Sequence, residues 1–148
     1  MPNRAAVRFD EFASLQRALK QTGDDAEREL RDELKNSSVM FQIVSDARAL
    51  LTGSYRGRRS TGRAAASLRV GATTKGVYIT GGKSTVPYYG WLDFGGDLKP
   101  SGGRRNLQKR PFKKRGRAMY PAIYKHRGDI NMAAEDAIES SLRKAGLL

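Results

Sequence analysis

A chain of 148 residues and 16.4 kDa has the length of one domain and is long enough to bury a real core. Its charge is lopsided, with 28 Lys and Arg against 15 Asp and Glu, a formal net charge of +13. No cysteine and a single histidine, His126, exclude disulfides, thiolate metal sites, cysteine nucleophiles and multi-histidine metal centres.

The opening MPNRAAVRFDEF has no apolar stretch, which predicts no secretory signal, and the absence of cysteine suits the cytoplasm. No apolar run approaches the 18 residues of a membrane helix. Residues 1–23 read as an N-terminal helical extension. Within 9–22, Phe9, Phe12, Leu15 and Leu19 make one apolar stripe, which Gly23 ends. Asp24 and Asp25 suit the start of a long second helix over about 25–51, where carboxylates meet free N–H groups. Its apolar face takes in Ala26, Leu30, Leu34, Met40 or Phe41, Val44, Ala47 and Leu51. Asn36-Ser37-Ser38 predicts a kink or break, because these side chains compete for backbone hydrogen bonds. Its exposed face is acidic: residues 24–46 hold seven acids and three bases.

Residues 52–63, with three glycines, four arginines and no acid, read as a basic loop. Residues 67–82 read as a β-hairpin turning at Lys75-Gly76, with Leu68 and Val70 on one strand and Val77, Tyr78 and Ile79 on the other. The aromatic run VPYYGWLDFGG at 86–96 is expected as strand or turn packed on the core. Residues 97–110 form a second Gly/Pro/Ser-rich basic loop. Pro111 suits a helix start, while Pro121 and Gly128 predict an interruption. From Asp129 a helix is clear. Ile130, Ala133, Ala134, Ala137, Ile138, Ser141, Leu142 and Ala145 form a face of small residues, a candidate subunit contact, and Gly146 stops it. The whole is a single α+β domain over 1–148: a long N-terminal helix, a small antiparallel sheet with basic loops, and a C-terminal helix.

Residues 98–128 carry eleven positive charges and no negative one. Arg104, Arg105, Lys109, Arg110, Lys113 and Lys114, with Arg56, Arg58, Arg59 and Arg63, are the candidates for facing DNA phosphates or an acidic partner. No helix-turn-helix, zinc-finger or RNA-recognition signature accompanies them, so base readout is not expected. Tyr88, Tyr89, Trp91 and Phe94 suit base stacking by chemistry, but their alternation favours core packing. His126 is the only candidate general base. Between Lys125 and Arg127 it reads as an exposed helix residue with no neighbouring carboxylate to orient it. Asp93 and Asp97 suit ion pairs with arginine, Asp93 in a structural role. No phosphate-loop pattern is present. The expectation is a protein without enzymatic activity, metal or cofactor.

Three landmarks resemble the neck and tail-completion proteins, the head–tail joining family, of long-tailed, siphovirus-type bacteriophages. They are Thr61-Gly62-Arg63 followed by Ser67-Leu68, the aromatic stretch Tyr88-Tyr89-Gly90-Trp91-Leu92-Asp93-Phe94-Gly95-Gly96, and Pro111-Phe112. The resemblance spans roughly residues 25–147, with the middle landmark the most specific. This chain departs from the family in having Ala64 for a large apolar residue, and Lys113-Lys114-Arg115 where an apolar residue and a second proline usually follow.

The resemblance implies a structural virion protein forming a hexameric ring in the neck. Such a ring joins the tail to a DNA-filled capsid and leaves a channel for the genome. It implies a virion location after assembly in the host cytoplasm, and neighbours of the connector, head-closure, tail-terminator or tail-tube kind. Non-specific contact with packaged double-stranded DNA is part of that expectation, and a membrane is not. It also implies that Thr61, Gly62, Ser67, Tyr88, Trp91, Asp93, Phe94, Gly95, Pro111 and Phe112 are motif core. The alternative is a sequence-independent nucleic-acid-binding protein.

Overall fold

A computed structural model describes residues 3–7, 17, 24–51, 62–73, 76–98, 108–144 and 146. It is a mixed α+β fold, as the hydropathy pattern predicts. Helices α1 (Asp24–Lys35) and α2 (Ser38–Leu51) lead into a short turn of helix, α3 (Arg63–Ala66). Strands β2 (Arg69–Thr73) and β3 (Gly76–Gly81) form the expected hairpin, with Gly76 as the first residue of β3.

The break at 36–38 has a local cause. Ser37 Oγ donates to the Leu34 carbonyl at 2.7 Å, and Ser37 N–H turns to the same oxygen at 3.3 Å. The side chain thus takes over a carbonyl that a continuous helix would use, and α2 restarts after it. Both halves keep their apolar stripes inward: Leu30 and Leu34 on α1, and Val39, Met40, Ile43, Val44 and Ala47 on α2, are buried. α1 lies against β2 and β3, and α2 against β2, so the two cover the Val77 and Ile79 face of the sheet. Burying each such aliphatic side chain stabilises the fold by roughly 1.5–3 kcal/mol.

Four sequence expectations are corrected. First, the N-terminal 1–23 segment is not helical throughout. Asn3–Val7 form strand β1, antiparallel to β3 with Asn3 opposite Gly81 and Val7 opposite Val77, and β3 becomes the central strand in the order β1-β3-β2. Of the 9–22 helix candidate only Arg17 is described, and it is helical.

Second, the 86–96 segment is neither strand nor simple turn. Tyr89–Phe94 form helix α4, which Gly95 ends. Its buried residues Tyr89 and Asp93 are four apart, a helical spacing that aromatic β-propensity masks.

Third, the 97–110 region is not all loop. β4 (Gly96–Leu98) and β5 (Gln108–Arg110) pair antiparallel, with Gly96 opposite Arg110.

Fourth, Pro111 opens no helix; the interruption expected between about 112 and 128 is present at His126, where one helix ends and the next begins, although Pro121 and Gly128 themselves lie inside helices. α5 (Met119–Lys125) holds Pro121 in its first turn, where a missing N–H costs little, and α6 (Arg127–Lys144) holds Gly128 in its own first turn.

The small-residue face of α6 is occupied within the chain. Ile130, Ala134, Ala137 and Ser141 are buried, and α6 packs on α1. Lys144 secures that packing at 2.6 Å from Glu33 Oε1, which holds the ammonium above the usual lysine range. The face proposed as a subunit contact is therefore largely covered by the chain's own first helix, with Ala133, Ile138 and Leu142 half-buried.

Candidate functional site

The landmarks meet around one buried carboxylate. Asp93 is fully buried on α4. Its Oδ1 accepts from the backbone N–H groups of Arg117 at 2.7 Å and Ala118 at 2.9 Å. Its Oδ2 accepts from the Tyr89 hydroxyl at 2.9 Å and the Met119 N–H at 3.3 Å. These N–H groups lie at the start of α5, where no preceding turn of helix supplies acceptors. A capping side chain normally comes from the adjacent residue. Here Ala118 stands at that position and has no side-chain oxygen, so a carboxylate from 26 residues upstream of Met119 does the capping. Negative charge at a helix N-terminus is favourable in itself.

From Asp93 the contacts run both ways along the chain. The Tyr89 ring lies against Gly81 and Gly82: a Cβ on Gly81 would lie 2.6 and 2.7 Å from its Cε atoms. Burial and the adjacent Asp93 push the Tyr89 hydroxyl well above the usual phenol range. Gly82 N–H donates to Ser67 Oγ at 2.9 Å, and Ser67 Oγ donates to the Ala64 carbonyl at 2.6 Å. In the other direction Arg117 Nη1 donates to the Asp93 carbonyl at 3.2 Å, and its Nη2 to the Pro111 carbonyl. Gly116 is left-handed, at φ +70°, and a Cβ there would meet Asp93 Oδ1 at 2.5 Å. One continuous path thus links Ser67, Gly82, Tyr89, Asp93, Arg117 and Pro111.

Other landmark residues flank the path. Gly62 adopts φ +74° before α3. Trp91 is half-buried; its Nε1 donates to the Gly96 carbonyl at 3.0 Å, and the Arg110 guanidinium lies 5.8 Å from its ring centroid. Phe94 is half-buried, edge-on to Tyr120 at 6.1 Å. Of the four aromatic residues, Tyr89 is fully buried, and Tyr88, Trp91 and Phe94 are half-buried. Of the residues expected in the motif core, Phe112 is 69% exposed and Pro111 is exposed as well.

The basic stretch divides by what each charge touches. Arg110 stacks on Trp91 and is half-buried, and Arg117 is bound to the Asp93 segment, so neither is a free surface charge. Lys125 reaches Asp46 at 3.1 Å, and Arg127 lies over the Tyr124 ring at 4.4 Å. Lys113, Lys114 and Arg115 are exposed, and Arg63 is exposed on α3. Of Lys109 only the backbone, in β5, is described. Arg56, Arg58, Arg59, Thr61, Arg104 and Arg105 lie outside the described residues. So does the side chain of Asp97.

His126 is not the exposed residue its neighbours suggest. Its side chain is 13% exposed, with Nε2 2.6 Å from Asp46 Oδ2 and Nδ1 3.3 Å from Asp129 Oδ2. The carboxylates come from α2 and from one turn further along α6, the first invisible to a local reading of sequence. Hydrogen bonding from His126, then from Lys125, holds Asp46 below the ordinary carboxylate value of 3.8. Both ring nitrogens are thereby engaged, a structural clamp between α2 and the α5–α6 junction. Among the described residues no three acids or histidines gather as a metal site, and no helix is long and apolar enough to cross a membrane.

Comparisons with protein-family models, with characterised proteins and with solved structures find no match.

Proposed function

We propose that this protein is a non-enzymatic structural subunit of a phage neck, closing into a homo-oligomeric ring through which the genome passes. The observation that carries the reading is the convergence of the landmarks. Ser67, the 88–96 stretch and Pro111 are separated in sequence, yet one path of hydrogen bonds and close glycine–ring packing joins them through Asp93. A motif that builds a rigid scaffold, rather than lining a cleft, fits a part made for assembly. On that scaffold Lys113, Lys114 and Arg115 stand exposed, in a chain whose repetition around a ring would build a strongly positive field.

Light scattering at moderate salt, without nucleic acid, tests it. Six copies weigh six times 16.4 kDa, about 98 kDa. A mass there or at another closed-ring multiple is expected.

The same three exposed cations favour the second reading, a sequence-independent nucleic-acid binder. A monomer at every concentration, with DNA affinity falling steeply against log salt, would establish that reading and refute the ring.

A further inference from the structure

The turn at 111–117 is held at Pro111, Lys113, Gly116 and Arg117. Lys113 N–H donates to the Phe94 carbonyl at 2.8 Å, Gly116 N–H to the Lys113 carbonyl at 2.9 Å, and Arg117 to Asp93 and Pro111. This fixes Phe112, Lys113, Lys114 and Arg115 outward as a preformed ridge of one exposed aromatic ring and three cations. Among the described residues, none pairs with those cations. Phe112, 69% exposed, adds one apolar ring to the three cations.

A second surface answers it. On α6, opposite the buried Ile130, Ala134, Ala137 and Ser141, one face carries Met132, Glu135, Asp136 and Glu139 at helical spacings of three, one and three. All four are exposed, Met132 at 64%. Glu139 reaches Arg143 at 2.5 Å, while Glu135 and Asp136 have no partner among the described residues. The stripe offers what the ridge needs: a thioether for an aromatic ring and carboxylates for cations. Phosphates would match the cations but leave Phe112 uncovered, so the complement favours protein over nucleic acid.

We infer that the Phe112–Arg115 ridge of one copy docks on the Met132–Glu139 stripe of α6 in the next copy. The two surfaces differ, so the contact is head-to-tail. Such contacts close into rings when the rotation allows. The inference rests on the self-assembling reading above and names the faces that meet.

The chain has no cysteine, so single introduced thiols report the contact. Lys114→Cys and Asp136→Cys proteins, mixed in equal amounts and oxidised, should give the mixed disulfide in roughly tenfold excess over either homodimer. Random collision gives about twofold. Charge reversal supplies the second measurement. K113E/K114E/R115E and E135K/D136K/E139K, each folded by circular dichroism, should lose the wild-type mass alone and recover it when mixed.

Random disulfide yields, with both reversal variants keeping the wild-type mass, would overturn this contact and leave the ring to be built on other faces. Random yields, with the thiol of the Lys114→Cys protein shielded from alkylating reagents by duplex DNA, would overturn it in favour of nucleic acid on the ridge. A mixed disulfide in excess, with no ring-sized mass, would uphold the contact and refute the closed ring.

Discussion

Removing the Asp93 carboxylate is the most direct perturbation of the scaffold. Asp93→Ala strips the acceptor from the Arg117, Ala118 and Met119 N–H groups and from the Tyr89 hydroxyl. Ala118 and Met119 are fully buried, so water cannot replace it there without opening the α4–α5 junction. Each buried donor left without a partner costs about 1–3 kcal/mol. Two fully buried N–H groups and a buried phenol place the loss near 4 kcal/mol, a large part of the roughly 5–15 kcal/mol of a typical domain. For a chain of this length that is a fall in Tm of about 12 °C, at about 3 °C per kcal/mol. Asp93→Asn keeps the shape and Oδ1 but sets an amide donor against the Met119 N–H, so about half the loss is expected.

Thermal unfolding followed by far-UV circular dichroism reads both variants. Hydrogen exchange should show faster amide exchange at 117–119 before global unfolding. An Asp93→Ala protein melting within about 3 °C of wild type, with slow exchange at 117–119, would refute the assignment of Asp93 as the keystone of this junction.

Two further outcomes follow from the geometry. Gly81→Ala drives a methyl into the Tyr89 ring and should cost about 2 kcal/mol or more by overpacking, whereas Gly71→Ala, with nothing within 4 Å, should be near neutral; equal Tm values for the pair would contradict the close approach. Asp46 has a depressed folded-state pKa, so its contribution is present above the ordinary carboxylate value of 3.8 and is lost as pH falls through the folded-state value. The Tm gap between wild type and Asp46→Asn should therefore be full at neutral pH and shrink below 3.8; a gap that is constant with pH would remove the clamp at His126 from the acid limb.

The parts of this fold that are legible in the sequence are those whose signal is local. Leu30, Leu34, Val44 and Ala47 show their helical period directly, and the Asn36-Ser37-Ser38 break follows from side chains that compete with the backbone beside them. Val70 and Ile79, directly opposed in the hairpin, are equally plain. What stays hidden depends on partners far along the chain. Asn3–Val7 carry no strong strand signal and become β-structure because β3 offers an edge. Helix α4 is obscured by aromatic residues that favour strands elsewhere. His126 looks exposed in the sequence because Asp46, 80 residues upstream, is not a neighbour. At the scaffold, Ser67 and Asp93 stand out within recognisable landmarks. Gly81, Gly82, Gly116 and Arg117 do not, since a glycine needed for close approach looks like any turn glycine.

The pairing of β1 with β3 also sets a clock for synthesis. Val7 faces Val77, seventy positions later in the chain. At about 5–20 residues per second, a ribosome needs several seconds to make the intervening chain, and longer to bring it clear of the exit tunnel. Throughout that interval the first strand has been made and its template has not. The hairpin β2–β3, with both strands emerging together, can close first; the three-stranded sheet is complete only when the earlier-made β1 pairs with it.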